Sequence, residues 1–286
     1  MKDKISILLP VFNDEKFIKR AVDSVLNNSY SNYELIIIND GSSDNSIEVI
    51  NSIKDERIKL FNKSNSGLIE TLNYGLNKCN NEIIMRMDGD DEIDHEKIYK
   101  QLDFFLKSKP VLLGTAGTII DNNSLTKSIV KVPRGNKGIL DNMKKMQPSI
   151  IHASIMFYKD AIIKSGGYDI KFNVAEDYEL FYRLSRLGNL CNMDEPLYKI
   201  RKNEENVSVT RSRAQLLNTM IARKLYSNPK TFKVNFEEYS KTKIEIEKSY
   251  IFKLINLLNS KINISSNQFL TTLLKIFRKI ISITLS

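Results

Sequence analysis

Three carboxylates stand almost side by side in the stretch IIMRMDGDDEID, directly after a run of apolar residues. They are Asp88, Asp90 and Asp91, and only Gly89 separates the first two. Capping of the next helix explains a single aspartate such as Asp94, because a side-chain oxygen before a helix accepts a free backbone N–H. It leaves the other carboxylates, which repel one another, without an explanation. The spacing therefore favours a binding site for a positive charge.

A divalent cation is the ligand that this spacing suits. Mg²⁺ and Mn²⁺ prefer hard oxygen ligands, and proteins hold them with one or two carboxylates together with the phosphates of a substrate. We expect a sharp backbone turn at Gly89 to direct Asp88 and Asp90 towards one point. A cation held there would offset their repulsion and neutralise a departing diphosphate. The sequence predicts Mn²⁺ or Mg²⁺ as the cofactor.

The elements that must position these residues alternate along the first 109 residues. The predicted strands KISILLPV, YELIIIND, RIKLFN and EIIMRMD are each followed by a segment with apolar residues at helical spacing. Continuous apolar strands separated by helices indicate an α/β protein with a parallel sheet covered on both faces. Ligands bind at the carboxyl ends of such strands. The polar clusters at 13–15, 40–44 and 88–91 are therefore expected to form one site.

The rest of the chain is less regular. The segments VLLGTAGTIID, SIVKVP and IHASIMFYK are predicted to be strands, and CNMDEPLYKIRK a final pair of strands. The segment AEDYELFYRLSRLG is predicted to be a helix, and the pattern is helical from residue 211 onwards. The prediction is a mostly parallel sheet with helices on both faces, followed by a C-terminal helical extension.

The composition narrows the class of protein. A chain of 286 residues, 42% of them hydrophobic, is long enough for one large domain or one domain with an appendage. Cys79 and Cys191 lie far apart and indicate neither a disulfide framework nor a zinc site, which points to a reducing compartment. The first apolar run is too short for a signal peptide, and no stretch has the length and purity of a membrane span. We expect a cytoplasmic protein.

A second cluster points to a nucleotide. In LIIINDGSSDNS, Asp40 ends the second predicted strand, where a carboxylate would accept hydrogen bonds from a nucleoside. The alternative is an Asp-Gly turn that binds nothing. After the first strand the chain has Pro10, Val11, Phe12 and Asn13, without the glycines that a dinucleotide site, a P-loop or a sugar-phosphate nucleotidyltransferase needs. This difference argues against all three.

Several motifs then occur in one order along the chain. They are ISILLPVFNDEKFIKRAVDSVLNNSYSNYELIIINDGSSDNS, NSGLIETLNYGL, RMDGDD, GGYD and AEDYELFYRL. Together they resemble the family 2 glycosyltransferases, which have the GT-A fold, over about residues 4–210. Each motif alone is weakly specific, whereas the combination is highly specific.

The resemblance implies a catalytic domain over residues 1–210, with a nucleotide-binding half at 1–109 and an acceptor-binding half at 110–210, before a helical extension at 211–286. It implies inverting transfer of a sugar from a nucleotide diphosphate sugar, usually UDP-linked. The expected acceptor is a glycan or a lipid-linked molecule of bacterial surface polysaccharide synthesis. Two alternatives stay open: a sugar-phosphate nucleotidyltransferase, and a non-catalytic sugar-nucleotide-binding subunit of a glycan-assembly complex.

The resemblance also assigns residues to the donor. Asp90 is the expected metal ligand, with Asp88 beside it, and Asp40 is expected to meet the uracil. The residues expected around the nucleotide and the donor sugar are Pro10, Val11, Phe12, Glu15, Asp40, Asn65, Gly67, Arg86, Asp88, Gly89 and Asp91.

The resemblance makes Asp177 the expected catalytic base. A sugar hydroxyl is a poor nucleophile, so a carboxylate within hydrogen-bond reach should take its proton during attack. This base must face the side opposite the departing diphosphate and cannot be a metal-binding aspartate. Asp177 opens an amphipathic helix, which would hold it on a rigid element. The alternative is that Asp177 or Glu176 only stabilises the positive end of that helix.

On the acceptor side the expected residues are His152, Tyr168 and Glu176. His152 would contact a sugar or serve as a structural hydrogen-bonding residue. Tyr168, in the motif GGYD, would stack on a sugar ring or lie in the core.

The chain departs from the family pattern in the stretch YKIRKNEENVSV. Many relatives carry Tyr-Arg-x-His near the end of the catalytic domain, but here Lys199 replaces the arginine and Arg201 replaces the histidine. An imidazole contact with the metal or the diphosphate is therefore not available at this position. A cationic Arg201 or Lys202 would serve the diphosphate as a charge instead.

The C-terminal segment NQFLTTLLKIFRKIISITL has an apolar helical face, and Lys275, Arg278 and Lys279 lie off it. Such a helix binds an anionic membrane surface, or it packs on its own domain or on a second copy of the chain. A peripheral contact with the inner face of the plasma membrane and a homo-oligomer both stay open. Nucleic acid is not expected despite the net charge of +9, because no recognition motif is present.

Overall fold

A computed structural model of the chain describes residues 3–202, 212–228 and 234–261. The strands are β1 (Ile5–Val11), β2 (Tyr33–Asp40), β3 (Ile58–Lys63), β4 (Ile83–Arg86), β5 (Glu92–Ile93), β6 (Leu112–Ile120), β7 (Thr126–Val130), β8 (Met156–Tyr158) and β9 (Leu190–Arg201). The helices are α1 (Ile18–Leu26), α2 (Ser46–Ser52), α3 (Leu68–Lys78), α4 (Lys97–Ser108), α5 (Asn136–Lys144), α6 (Lys159–Ser165), α7 (Glu176–Leu184), α8 (Ser212–Tyr226) and α9 (Phe236–Lys261).

The strands form one mixed sheet in the order β3-β2-β1-β4-β8-β6-β9-β5, and β7 pairs with the outer part of β6. Strands β1 to β4 pair in parallel, as the sequence predicts. The short strand β8 is antiparallel to both β4 and β6, and it joins the parallel first half to the parallel pair of β6 and β9. The fold is the predicted α/β architecture, with a mostly parallel sheet that brings the ends of β1, β2 and β4 to one edge.

Two predictions for the second half are wrong. The predicted strand IHASIMFYK begins with a 3₁₀ turn, His152–Ser154, and only Met156–Tyr158 pairs in the sheet. The predicted pair of strands in CNMDEPLYKIRK is one continuous strand, β9. Its register against β6 shifts near Ala116, so the strand passes an irregular region without turning back.

Both faces of the sheet are covered because alternate residues of each strand point to opposite sides. Ile7 and Leu9 of β1 belong to the core that contains Val22 of α1. On the other face, the Leu8 and Ile38 side chains lie against Gly75 of α3, where an added Cβ would lie 2.3 Å from Leu8 Cδ1. This close approach holds α3, and the loop that precedes it, against the ends of β1 and β2.

A buried carboxylate ties the opposite edge of the sheet together. Glu34 of β2 accepts hydrogen bonds from Ser6 Oγ at 2.6 Å, Lys59 Nζ at 2.6 Å and the Asn80 backbone N–H at 2.7 Å. Burial raises the pKa of Glu34, but the donors on Lys59, Ser6 and Asn80 outweigh burial and lower it to about 2. Because the folded pKa lies below the usual 4.5, ionised Glu34 stabilises the fold above that pH.

Glu34→Gln is expected to lower the free energy of unfolding at pH 7 by about 2 kcal/mol, because Lys59 loses its charged partner. The stability that Glu34 provides is lost as the pH falls from 4.5 towards 2, so the difference from wild type should shrink over that range. Urea unfolding at several pH values measures it. The exposed Glu56→Gln is the matched control and should change stability little. A difference that is equally large at pH 3 and pH 7 would contradict the charge-based explanation.

The chain groups into two compact units, residues 1–242 and 243–286. Helix α8 lies in the first unit, and the described part of the second unit is the C-terminal part of α9. Among the described helices, none has both the length and the apolar character needed to cross a bilayer. The predicted amphipathic helix around Lys275 and Arg278 lies outside the described residues.

Candidate functional site

The acidic turn begins where β4 ends, and it is held from two sides. Arg86, the buried last residue of β4, donates a hydrogen bond from Nη2 to Asp88 Oδ1 at 2.5 Å. The backbone N–H of Asp88 donates to the hydroxyl oxygen of Tyr198 on β9 at 3.1 Å. The Asp88 side chain nevertheless keeps 34% of its surface exposed. A ligand can therefore reach a carboxylate whose position the buried residues fix.

The structure corrects the reason for a glycine at position 89. The sequence suggested that Gly89 permits a sharp turn, but Gly89 is not among the residues with a positive φ, in contrast to Gly41 at 71°. What Gly89 provides is space. A Cβ added there would lie 2.5 Å from Oδ2 of Asp14, far closer than real Cβ contacts come. The carboxyl group of Asp14 thus occupies the volume that a side chain at position 89 would need.

The turn concentrates negative charge in a partly buried place. Burial raises the pKa of Asp90 to about 6, and the charge of Asp88 adds to the shift. Burial also raises the pKa of Asp14 to about 8, with Asp90 and Asp88 contributing. For Asp91, burial and the charge of Asp90 raise the pKa well above its usual value. A cation would relieve this repulsion, because it favours the ionised forms of all these groups.

The donor set is one that Mg²⁺ and Mn²⁺ accept, since it consists of carboxylate oxygens. Within residues 3–202, 212–228 and 234–261, no group of three or more His, Cys, Asp or Glu side chains forms a ready-made metal cluster. A cation at Asp88 and Asp90 would therefore take only part of its coordination from the protein. The remaining ligands would be water and phosphate oxygens, which is the usual arrangement for Mg²⁺.

Arg201 supports the acidic turn from behind. It ends β9, and its side chain is 0% exposed. Its backbone N–H donates to Asp91 Oδ1 at 2.7 Å, and its Nε donates to the Asp90 carbonyl at 2.8 Å. The other guanidinium nitrogens donate to the Glu92 carboxylate and the Asp121 carbonyl. Of the two cations expected to serve a diphosphate, Arg201 is enclosed and Lys202 is exposed.

Arg201→Lys is expected to lower the free energy of unfolding by about 3 kcal/mol, because an ammonium cannot reproduce the several directed donors of a buried guanidinium. The matched control is Lys202→Ala, one residue further on and exposed, which should change stability by less than about 0.5 kcal/mol. Urea unfolding measures both. Equal, small losses in the two variants would contradict the supporting role of Arg201.

The loop after β1 presents one exposed ring. Pro10 and Val11 are buried at the end of the strand, whereas Phe12 is 49% exposed. An exposed aromatic ring at the carboxyl edge of a parallel sheet offers a face on which a base can stack. Glu15 accepts hydrogen bonds at Oε2 from the Asn45 backbone N–H at 3.0 Å and from Asn45 Nδ2 at 2.8 Å. Glu15 therefore joins this loop to the start of α2.

Asp40 holds the loop that precedes α3. It is buried, it forms an ion pair with Lys63, and it accepts hydrogen bonds from the backbone N–H groups of Ser66 and Gly67, each at 2.9 Å. Asn65 and Gly67 are exposed on that loop. The expected contact between Asp40 and uracil stays a prediction. The hydrogen bonds show that Asp40 fixes the loop that carries Asn65 and Gly67, two further expected donor residues.

Two neighbouring carboxylates open α7, as the sequence predicts. Burial raises the pKa of Asp177 above its usual value, although the Tyr178 backbone N–H, 2.6 Å from Asp177 Oδ1, opposes the shift. Burial and the charge of Asp177 raise the pKa of Glu176 to about 7. The charge of Arg86 opposes both shifts, so Arg86 lies within electrostatic range of both carboxylates as well as of Asp88. A carboxylate with a raised pKa is a stronger base.

The residues expected near the acceptor lie together. His152 Nε2 is 3.0 Å from the hydroxyl oxygen of Tyr168, and His152 Nδ1 is 3.8 Å from Glu176 Oε1. Burial, followed by the charge of Arg86, lowers the pKa of His152 well below its usual value, so the imidazole is neutral at pH 7. Tyr168 is only 4% exposed. Of the two alternatives for Tyr168, the structure favours the core position, because stacking on a sugar needs an accessible ring.

The sequence interpretation missed two residues of this site. Asp14 lies in the polar cluster at 13–15, but the family resemblance points to Glu15 and not to Asp14. Only the folded structure identifies Asp14, through its close approach to Gly89. Tyr198, the first residue of the YKIR stretch, accepts a hydrogen bond from the Asp88 backbone, and this contact joins distant parts of the chain.

Comparisons of the sequence with known proteins point to one family. The model of the family "Glycosyl transferase family 2" matches residues 6–167. The O-antigen biosynthesis glycosyltransferase WbnJ of Escherichia coli is 33% identical over 187 residues, which are 64% of this chain and 72% of WbnJ. Chondroitin synthase of Pasteurella multocida is 26% identical over 252 residues, which are 87% of this chain but only 26% of that longer enzyme.

Comparison of structures gives the same fold. The crystal structure of S. aureus TarS 1–349 in complex with UDP-GlcNAc matches with a TM-score of 0.65 at 15% sequence identity, covering 85% of this chain and 71% of that one. The complex of the same protein with UDP matches with a TM-score of 0.63 at 14% identity, covering 91% and 75%. At this level of identity the match establishes the architecture, which is that of a GT-A glycosyltransferase.

Proposed function

Because this chain belongs to glycosyltransferase family 2, we propose that it transfers a sugar from a UDP-linked donor, with inversion, to a hydroxyl group of a glycan or lipid-linked acceptor. The single observation that carries the proposal is the position of Arg86. Its guanidinium pairs with Asp88 of the acidic turn, and its charge also acts on Glu176 and Asp177. This position supports the proposal that the diphosphate side and the base side of the reaction share one site.

The nucleotide would lie along the edge formed by β1, β2 and the loop before α3. The exposed ring of Phe12 supplies a stacking face for the base. Asp40, Asn65 and Gly67 lie on or beside the adjoining loop, where they would meet the uracil and ribose. Uridine is favoured over other nucleosides because TarS, which has the same architecture, is known in complex with UDP and UDP-GlcNAc.

A divalent cation, Mn²⁺ or Mg²⁺, would be held by Asp90 with Asp88 and would neutralise charge on the diphosphate. The carboxylate donors and their mutual repulsion fit such an ion. Arg86 keeps Asp88 oriented, while Tyr198 and Arg201 keep the backbone of the turn in place.

The chemical step is a single displacement. The acceptor oxygen attacks the anomeric carbon, the bond from that carbon to the diphosphate oxygen breaks, and the electron pair leaves with UDP. Asp177 takes the acceptor's proton as the new bond forms, which is the task that its raised pKa suits. Attack from the side opposite the leaving group inverts the configuration. Glu176 precedes the base in the sequence and lies 3.8 Å from His152, and these two residues would orient the acceptor.

The proposed acceptor is a glycan or a lipid-linked intermediate of bacterial surface-polysaccharide synthesis. The support is the similarity to an O-antigen biosynthesis enzyme and to a chondroitin synthase. A lipid-linked acceptor would require the enzyme to work at the inner face of the plasma membrane, with a peripheral contact. The C-terminal segment around Lys275 is the part of the chain suited to that contact, and a homo-oligomer is the other use of its apolar face.

A panel of UDP- and GDP-sugars tests the function. Purified protein with Mn²⁺ should slowly release UDP from one UDP-sugar even without an acceptor, and should release none from the GDP-sugars. Release of pyrophosphate from a nucleoside triphosphate and a sugar phosphate would show a nucleotidyltransferase instead. Calorimetric binding of UDP without turnover of any donor, over a panel of acceptors, would show a non-catalytic binding subunit.

A further inference from the structure

We propose that Asp14 is a positioning residue, which sets the turn at Asp88, Gly89 and Asp90 against the end of β1. Through this contact, the cation site and the stacking face of Phe12 would be held at a fixed separation. The inference rests on the proposed function, because it concerns the same donor site. It adds a residue to which the family resemblance gave no role.

The contact between Asp14 and Gly89 is steric and close. A Cβ at position 89 would lie 2.5 Å from Asp14 Oδ2 and 3.1 Å from Asp14 Cγ. The next nearest atom, the Pro10 carbonyl oxygen, would lie at an ordinary 3.4 Å. Since Gly89 does not have a positive φ, its backbone suits other residues as well. Of the nearest groups, only the Asp14 side chain would therefore have to shift to admit an alanine at position 89.

Asp14 is itself firmly held, so it can transmit position. Its carbonyl oxygen accepts hydrogen bonds from the backbone N–H groups of Phe17 and Ile18, both at 2.9 Å, where α1 begins. Its own N–H donates to Ser46 Oγ on α2 at 2.9 Å. The preceding residue, Asn13, has a φ of 58°, in the left-handed region that asparagine tolerates in turns. The backbone that carries the carboxyl group is thus hydrogen-bonded to the starts of α1 and α2.

The same carboxyl group also reaches the nucleoside side. Asp14 Oδ2 accepts a hydrogen bond from the Phe12 backbone N–H at 3.2 Å. One oxygen atom therefore contacts both the strand end that carries the exposed ring and the glycine between the two expected metal ligands. A side chain at position 89 would push this oxygen away and disturb both parts of the donor site together.

A double-mutant cycle tests the proposal with the full-length chain. UDP affinity is measured by calorimetry with Mn²⁺ for wild type, Gly89→Ala, Asp14→Ala and the double variant. We expect Gly89→Ala to weaken binding about tenfold, a typical coupling for side chains in contact. Asp14→Ala should weaken it about threefold, and the double variant should bind no more weakly than Asp14→Ala, because the clash is gone.

Asp14→Asn separates position from charge. It keeps the size and the acceptor oxygen of the side chain, so it should recover most of the affinity lost in Asp14→Ala. If Asp14→Asn binds as weakly as Asp14→Ala, or if the double variant loses the product of the two single losses, the positioning role is wrong.

Melting temperatures of the same variants keep the two proposals apart. Gly89→Ala should melt at a lower temperature than wild type, and Asp14→Ala in the same chain should reverse that loss. Wild type that binds no nucleotide would overturn the proposed function, and the positioning role with it. The steric contact would still be judged by the melting temperatures. Wild type that binds UDP while Gly89→Ala binds equally well would overturn the positioning role alone.

Discussion

Asp90→Asn is expected to reduce UDP release from the preferred donor by on the order of 100-fold or more at saturating Mn²⁺. The amide keeps the shape of the side chain but removes the charge that would attract the cation. The melting temperature should stay the same or rise, because the substitution removes a buried charge and its repulsion from Asp88. Initial rates of UDP release, with Mn²⁺ affinity measured by electron paramagnetic resonance, check the prediction.

The exposed Asp160→Asn is the matched control, since it makes the same chemical change far from the acidic turn in sequence. It is expected to leave the rate of UDP release and the Mn²⁺ affinity unchanged. If Asp90→Asn retained wild-type rates and Mn²⁺ affinity, the cation would not be held at this turn. If the melting temperature and the rate fell together, the loss of rate would reflect a folding defect. A melting temperature that stays the same or rises, as expected, excludes such a defect.

Asp177→Asn is expected to lower kcat about 10²- to 10⁴-fold, the range typical of a lost general base, without weakening UDP binding. An amide cannot take the acceptor's proton, whereas the diphosphate side of the site is untouched. In wild type, kcat should fall as the pH decreases through the raised pKa of Asp177, because the protonated carboxyl is inactive as a base. Single-turnover rates with a saturating acceptor measure the change.

Glu176→Gln is the neighbouring comparison. The pKa of Glu176 is raised to about 7, so its titration could be mistaken for that of the base. We expect Glu176→Gln to change mainly KM for the acceptor and to leave an acid limb in the kcat profile. If Glu176→Gln lost kcat and Asp177→Asn did not, the roles of the two carboxylates would be exchanged.

The first half of the fold was predictable from sequence because its signals are local. Continuous apolar strands such as YELIIIND, each followed by a helical pattern, define the parallel sheet and its carboxyl edge. The second half was predictable only in part. Strands β6 and β7 and helix α7 follow from local patterns, whereas β8 is three residues long and its antiparallel pairing depends on its neighbours β4 and β6. Helices α5 and α6 were not predicted either.

The site divides in the same way. Asp88, Asp90, Glu176 and Asp177 could be chosen from residue type, spacing and family resemblance, and the structure adds the environment of each. The supporting residues could not be chosen, because their roles arise from contacts between distant parts of the chain. Arg201 reaches Asp90 over a separation of 111 residues, for example. The residues that could react or bind a metal can be identified in the sequence, whereas the residues that position them can be identified only in the folded structure.

The most direct test is a crystal structure of the protein with Mn²⁺ and UDP, recorded so that the anomalous signal of manganese locates the ion. The ion should lie about 2 Å from an Asp90 oxygen and contact the diphosphate. The uracil should stack on Phe12, and Asp177 should lie across the space for the donor sugar, opposite the diphosphate. An ion elsewhere, or a nucleotide whose diphosphate does not approach Asp88 and Asp90, would contradict the proposed mechanism.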